Sequence, residues 1–146
     1  NYENYEINLW KKLDANLNFE KREIPIKQSI QDTKLVICTT LGSTVFFESL
    51  TSNIPTFIFT NYKKSMLSDE CRSDFEKLKK IGIINDNPYK FAKFINKHFN
   101  NIDDWWNSKN VKIVINDFVD KYCSIDEHPI EKLTKILNEQ SKLLNK

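Results

Sequence analysis

The fold is decided by residues 34–59, which read KLVICTTLGSTVFFESLTSNIPTFIF. Two short apolar runs, residues 35–38 and 54–59, are typical of the buried strands of a parallel sheet. Between them lie a turn rich in hydroxyl groups and a segment, residues 43–52, whose apolar side chains recur at helical spacing. The stretch therefore predicts a strand, a glycine turn, a helix and a second strand, which together make one βαβ unit.

The turn between the first strand and the helix contains Gly42, one of only two glycines in the chain. A turn of this kind aims backbone N–H groups and the positive end of the helix dipole at one point, which favours an anion. Ligands of open parallel sheets bind at this carboxyl edge. We therefore expect Thr40, Gly42, Ser43 and Thr44 to bind a phosphate.

Glu48 lies one helical turn beyond the predicted phosphate site. A carboxylate can accept hydrogen bonds from two vicinal hydroxyl groups, so a ribose one unit away from the phosphate is a natural partner. The alternative is that Ser43 and Thr44 only cap the helix and that Glu48 is a solvated side chain. The pattern favours the nucleotide interpretation because its parts are mutually consistent.

The loop after the second strand, residues 60–68, leaves the same edge of the sheet. Asn61, Lys63 and Lys64 are therefore candidates for contacts to a donor phosphate, where lysines would neutralise the charge of a leaving nucleotide. The alternative is that the two lysines are solvated surface residues. This alternative is favoured, because most lysines in surface loops have no other role.

The pattern T-T-x-G-S-T-x-x-x-E-S-L at residues 39–50 is followed by NIPT at 53–56, by FEKLKKIGIINDNPYKFAKFI at 75–95 and by DDWWNS at 103–108. This combination resembles the donor-nucleotide half of GT-B glycosyltransferases, and most closely a family of bacterial surface-carbohydrate transferases. The resemblance covers most of the chain. It implies an α/β, Rossmann-like half of a GT-B fold, with a small parallel sheet flanked by helices and a C-terminal helical layer.

The resemblance also implies roles for individual residues. Gly42, Ser43 and Thr44 would contact the donor phosphate, and Glu48 would bind the ribose. A GT-B enzyme has two Rossmann-like halves, and in inverting members the catalytic base usually comes from the acceptor half. Because the chain starts at Asn1 rather than Met, we expect a fragment whose N-terminal half lies upstream, and no catalytic residue is nominated.

Composition limits the other classes of function. The chain has 146 residues, with 22 basic and 20 acidic side chains and a net charge of +2, too balanced for nucleic-acid binding. Three separated cysteines and two histidines favour neither a disulfide framework nor a zinc site. No metal and no cofactor is predicted, the nucleotide-sugar being a substrate. The sequence has no apolar run of membrane-spanning length and no signal peptide, so we expect a cytoplasmic protein. Action at the inner face of the cell membrane is a second option.

We expect one donor domain over residues 1–146, with a helical tail from residue 103 to residue 146. Further elements follow from periodicity, prolines and helix-capping residues. They are helices over residues 4–17, 25–31 and 68–81, helices starting at Asn87–Pro88 and Pro129, a helix through residues 111–122, and short strands over residues 19–24 and 83–84.

Two conspicuous features are better explained by packing than by chemistry. Trp105 and Trp106 are adjacent on a helix and so point about 100° apart, which argues against a shared sugar platform. His98 lies on an apolar helical stripe with Phe94 and Ile95, where a histidine is more often a packed core residue than a catalyst.

The favoured function is donor binding by a glycosyltransferase that moves a sugar from a nucleotide-activated donor to a bacterial surface glycan or lipid-linked acceptor. One alternative keeps the fold and transfers a polyol phosphate from a CDP-linked donor. Another is a sugar-nucleotide epimerase, and a third is a non-catalytic α/β interaction module in which Gly42 only permits a tight turn. The base, the sugar, the acceptor and the stereochemistry stay open.

Overall fold

The computed structural model describes residues 2–20, 23–62, 67–123 and 128–144. Strands β1 (Val36–Cys38), β2 (Thr56–Phe59) and β3 (Ile84–Asn85) form a parallel sheet in the order β1-β2-β3. The chain is therefore α/β, as its sequence predicts. Each strand is joined to the next by a helix, as parallel pairing requires.

The helices of the described residues are α1 (Tyr2–Leu13), α2 (Ile26–Gln31), α3 (Thr44–Thr51), α4 (Asp69–Lys80), α5 (Pro88–His98), α6 (Ile102–Trp106), α7 (Lys109–Tyr122) and α8 (Pro129–Leu144), with a 3₁₀ turn, Phe99–Asn101, between α5 and α6. Local signals set several of these bounds. At the start of α5, the Asn87 side chain accepts a hydrogen bond from the Lys90 N–H, and Pro88 takes the first helical position. After α4, Gly82 adopts a φ of 93° and ends the helix.

Adjacent residues of β2 bury against different layers of helices, because successive side chains of a strand point to opposite faces of the sheet. Ile58 packs in a cluster with residues of α3, α4 and α7, among them Phe46 and Leu78. Phe57 packs on the other face with Phe91 and Ile102. Strand β2 is thus covered on both faces, and α7 is part of the core.

Two expectations for the first quarter of the chain are wrong. Helix α1 ends at Leu13 instead of continuing to residue 17, because Asp14 accepts a hydrogen bond from the Asn16 N–H and forms a local turn. The strand expected at residues 19–24 is absent from the described part of that range. Phe19 is 39% exposed, so the segment has too little apolar surface to bury as a strand.

Candidate functional site

The turn between β1 and α3 lies at the carboxyl edge of the sheet. Ser43 occupies the N-cap position of α3, yet its hydroxyl makes no capping hydrogen bond to the helix. The hydroxyl is hydrogen-bonded to the Cys38 thiol instead; burial raises the pKa of that thiol and this bond partly offsets the rise. The side chain of Ser43 therefore makes no bond to the N-terminal N–H groups of α3, of which that of Phe46 donates to the Ser43 carbonyl over 3.0 Å.

Gly42 is not required by the backbone. Its φ lies outside the left-handed region, and a Cβ at this position would have no heavy atom within 4 Å beyond its chain neighbours. The contrast is Gly82, where φ is 93° and a Cβ would lie 2.9 Å from Phe94 Cε2. The fold explains the glycine at position 82 but not the one at position 42. One physical reason to have a glycine at position 42 is that it lets a ligand approach the backbone closely.

A cavity of about 640 Å³ opens beside this turn. We call it the edge cavity, and its lining residues are Thr40, Leu41, Gly42, Phe47, Thr60, Asn61, Leu67, Cys71, Phe75 and Tyr122. They come from the ends of β1 and β2, from α3, α4 and α7, and, in the case of Leu67, from the loop before α4. The volume falls within the range of about 300–1,000 Å³ that small-molecule sites occupy.

The edge cavity brings together three of the residues that sequence analysis selects, namely Thr40, Gly42 and Asn61. Ser43, Thr44 and Glu48 do not line it. Glu48 is exposed on α3, next in sequence to Phe47, which does line the cavity. Lys63 and Lys64 lie outside the described residues.

The sequence does not predict that residues of α4 and α7 line the edge cavity. The sequence places Cys71 and Phe75 only within a predicted helix over residues 68–81, and Tyr122 only at the end of a predicted helix through residues 111–122. Cys71 could have been linked to this edge of the sheet from sequence, because it follows the N-cap residue Ser68 by three positions and so lies in the first turn of α4, next to the loop. In the structure its Sγ lies 3.4 Å from the hydroxyl of Ser68. For Tyr122 there is no such signal, because it reaches the cavity only through the packing of α7 against α3 and α4.

Tyr122 is held in the wall by a cluster of charges between α4 and α7. Its hydroxyl donates to Asp74 Oδ2 over 2.9 Å, and Lys121 Nζ donates to the same oxygen over 2.6 Å. Lys77 Nζ lies 2.9 Å from Asp74 Oδ1. These bonds from Lys121, Lys77 and Tyr122 hold the pKa of the Asp74 carboxyl well below its usual range.

A second depression of about 480 Å³ lies at the same edge, lined by Phe59, Thr60, Asn61, Asp86 and Asn87. It shares Thr60 and Asn61 with the edge cavity. Nearby, Lys79 Nζ pairs with Asp86 over 2.9 Å and lies 4.6 Å from the ring centroid of Tyr62. The carboxyl ends of β2 and β3 thus add a polar extension to the edge cavity.

The residues interpreted as packing residues do pack. Trp106 is 1% exposed and its Nε1 donates to Asn53 Oδ1 over 3.0 Å. Trp105 stacks on Phe57 with a centroid distance of 5.6 Å. His98 is half-buried and packs on Phe94 with a ring-centroid distance of 4.7 Å.

Within the part of the chain that the structure describes, no three histidine, cysteine or acidic side chains gather as a metal site would require. In the same residues, every helix is too short or too polar to cross a membrane.

Comparison with known proteins gives a match at the level of a family. A family model described as LIC12162 family transferase matches residues 1–137. Among curated proteins there is no significant match. Among solved structures there is none either.

Proposed function

The chain belongs to the LIC12162 family of transferases, and we propose that it is the donor-binding half of a GT-B glycosyltransferase. In this proposal it binds a nucleotide-activated sugar, which the complete enzyme transfers to a surface-glycan or lipid-linked acceptor. The N-terminal half of the enzyme would bind the acceptor and supply the catalytic base. The reaction would take place in the cytoplasm or at the inner face of the membrane.

The observation that carries the proposal is the position of Gly42. It borders a cavity of about 640 Å³ at the carboxyl edge of a parallel sheet, immediately before the N-terminus of α3. Its own backbone conformation and surroundings do not require a glycine. A phosphate that approaches the backbone at this point would explain the residue and would be stabilised by the helix dipole.

Further contacts follow from the same placement. Thr40, Ser43 and Thr44 supply hydroxyl groups around the turn, and Asn61 supplies an amide from the end of β2. Glu48 is exposed one turn along α3, where its carboxylate can accept hydrogen bonds from the two ribose hydroxyls. Lys63 and Lys64 follow in the loop after β2 and are proposed to neutralise the charge of the leaving nucleotide.

A calorimetric titration with CMP, CDP, UDP, GDP and ADP tests the proposal. We expect saturable binding of one nucleotide, and we expect Glu48→Ala to weaken it by about 1–3 kcal/mol through lost charge-assisted hydrogen bonds. The matched control is Glu139→Ala, which removes an exposed glutamate from α8. It removes the same charge and should not change the affinity.

Two results would count against the proposal. If none of the nucleotides binds to the folded chain, the interaction-module interpretation gains support. If Glu48→Ala and Glu139→Ala bind equally well, Glu48 has no role in the site. Binding of CDP alone would agree with the donor site and would leave sugar transfer and polyol-phosphate transfer from a CDP-linked donor to be compared.

A further inference from the structure

The proposed phosphate site borders the edge cavity at Gly42, whereas the proposed ribose contact, Glu48, is not part of the cavity lining. Phe47 lines the cavity, whereas the next residue, Glu48, is exposed and does not line it. Consecutive residues of an α-helix are separated by about 100° around the axis. With the phosphate at residues 42–44 and the ribose at Glu48, the edge cavity is left for the part of the donor beyond the phosphates, which is the transferred group.

The wall of the edge cavity is mainly apolar. Leu41, Phe47, Leu67 and Phe75 line it together with the ring of Tyr122, and none of its described lining residues is charged. The phenol hydroxyl of Tyr122 already donates to Asp74, and the Cys71 thiol is hydrogen-bonded at Ser68. Hydrogen-bonding side chains of the lining are concentrated at the strand ends, in Thr40, Thr60 and Asn61.

A fully hydroxylated sugar fits such a wall poorly. Each hydroxyl that faces a phenyl ring or a leucine loses its water without gaining a partner, which costs free energy. A sugar in which a hydroxyl is replaced by hydrogen, or by an N-acyl group with an apolar methyl, would instead bury carbon against the rings.

We propose that the edge cavity selects a transferred group with an apolar surface, a deoxy or N-acyl sugar, over a fully hydroxylated hexose. This inference rests on the proposed function, because it takes the position of the phosphate from it. Asp74 fixes the ring of Tyr122 in the cavity wall and thereby contributes to this selectivity without touching the sugar.

The experiment compares donors that share their base and pyrophosphate. For whichever nucleotide binds, the affinity of its glucose ester is measured against those of its 6-deoxyglucose and N-acetylglucosamine esters, with the bare nucleotide as reference. At least one of the less hydroxylated esters should bind about fourfold more tightly than the glucose ester, the effect of burying one additional methylene-sized group.

Leu67→Asn places an amide in the wall, near the loop, and should bring this ratio of affinities close to one. The matched control is Ile113→Asn, which makes the same kind of change at a side chain of α7 that is 51% exposed and does not line the cavity. It should leave the ratio at its wild-type value. Melting curves of both variants show whether each is folded, and the comparison in the wild-type chain does not depend on them.

The outcomes separate the two proposals. If the bare nucleotide binds but the glucose ester binds as tightly as both of the other esters, the sugar inference is wrong and the donor-binding function stands. If no nucleotide binds, the proposed function fails and the sugar inference fails with it.

Discussion

Asn53 shows how one residue links two distant parts of the sequence. It follows the end of α3 with a φ of 57°, a conformation that asparagine tolerates better than most residues. Its Oδ1 accepts hydrogen bonds from Trp106 Nε1 and Lys112 Nζ. The NIPT and DDWWNS segments are thus joined in the structure, since Asn53 of the first binds Trp106 of the second and Lys112 of the helix that follows it.

Replacing Asn53 should destabilise the chain in two separable ways. Asn53→Ala should lower the free energy of unfolding by roughly 2–4 kcal/mol, because alanine is strained at positive φ and the buried indole N–H loses its partner. Asn53→Gly removes only the hydrogen bonds and should be about 1 kcal/mol less harmful. Urea denaturation of the two variants measures both terms, and equal losses would show that the backbone conformation contributes nothing.

Gly42 and Gly82 should respond oppositely to the same substitution. Gly42→Ala should leave the midpoint of thermal unfolding nearly unchanged, since the added methyl group meets nothing in the protein, but should weaken nucleotide binding at least about tenfold. Gly82→Ala should cost about 1–2 kcal/mol of stability because of its φ of 93° and the contact with Phe94. Unchanged nucleotide affinity in Gly42→Ala would contradict the phosphate assignment.

The ends of helices could be predicted from sequence where a capping residue, a proline or a glycine marks them. The Asn87–Pro88 cap fixes the start of α5, and Gly82 fixes the end of α4. The two apolar runs became β1 and β2; β2 buries side chains on both faces of the sheet, whereas β1 leaves Ile37 47% exposed on one face. The end of α1 was missed because a short-range hydrogen bond to Asp14 competes with the helix, and hydrophobic spacing does not register such a bond.

Helices α4 and α7 are joined by an ionic contact that should depend on pH. Asp74 has a side chain only 14% exposed, and its pKa is lowered by the bonds from Lys121, Lys77 and Tyr122. A carboxylate with a lowered pKa in the folded state stabilises the fold above its unfolded pKa of about 4, and this contribution is lost as the pH falls through the folded-state value.

Asp74→Asn should therefore destabilise the chain by a constant amount between pH 7 and pH 5, and the difference from the wild-type chain should shrink below about pH 4. Denaturant unfolding at each pH measures this difference. The matched control is Asp69→Asn, which removes an exposed carboxylate from the first turn of α4 and should show little of this pH dependence. A constant difference down to pH 2 would show that Asp74 does not act through its charge.

At the scale of the whole molecule, the site could be predicted only in part. The turn at Gly42 and the end of β2 meet at one edge because parallel strands share their carboxyl ends, which the sequence pattern already implies. The aromatic wall depends on how α4 and α7 pack, and apolar spacing indicates that a helix is buried without indicating its neighbour. Phe75 and Tyr122 were therefore assigned to helices correctly but not to the cavity.

The last helix, α8, stands apart from this core. The apolar side chains of α8 whose burial the structure describes are exposed, with Ile130 at 79% and Leu137 at 58%. Removing residues 124–146 should therefore change the free energy of unfolding by less than about 1 kcal/mol, because little apolar surface is buried by the helix. A larger loss in urea denaturation would show that α8 packs on the core in solution.

The most direct test of the donor-site assignment is a two-dimensional ¹H–¹⁵N NMR titration of the 17.3 kDa chain with the nucleotide selected by calorimetry. Binding at the proposed site predicts the largest shifts for the amides of Gly42, Ser43 and Thr44, with smaller shifts at Thr40 and Asn61. A saturable titration in which these amides do not move, while others away from the carboxyl edge of the sheet do, would contradict the assignment.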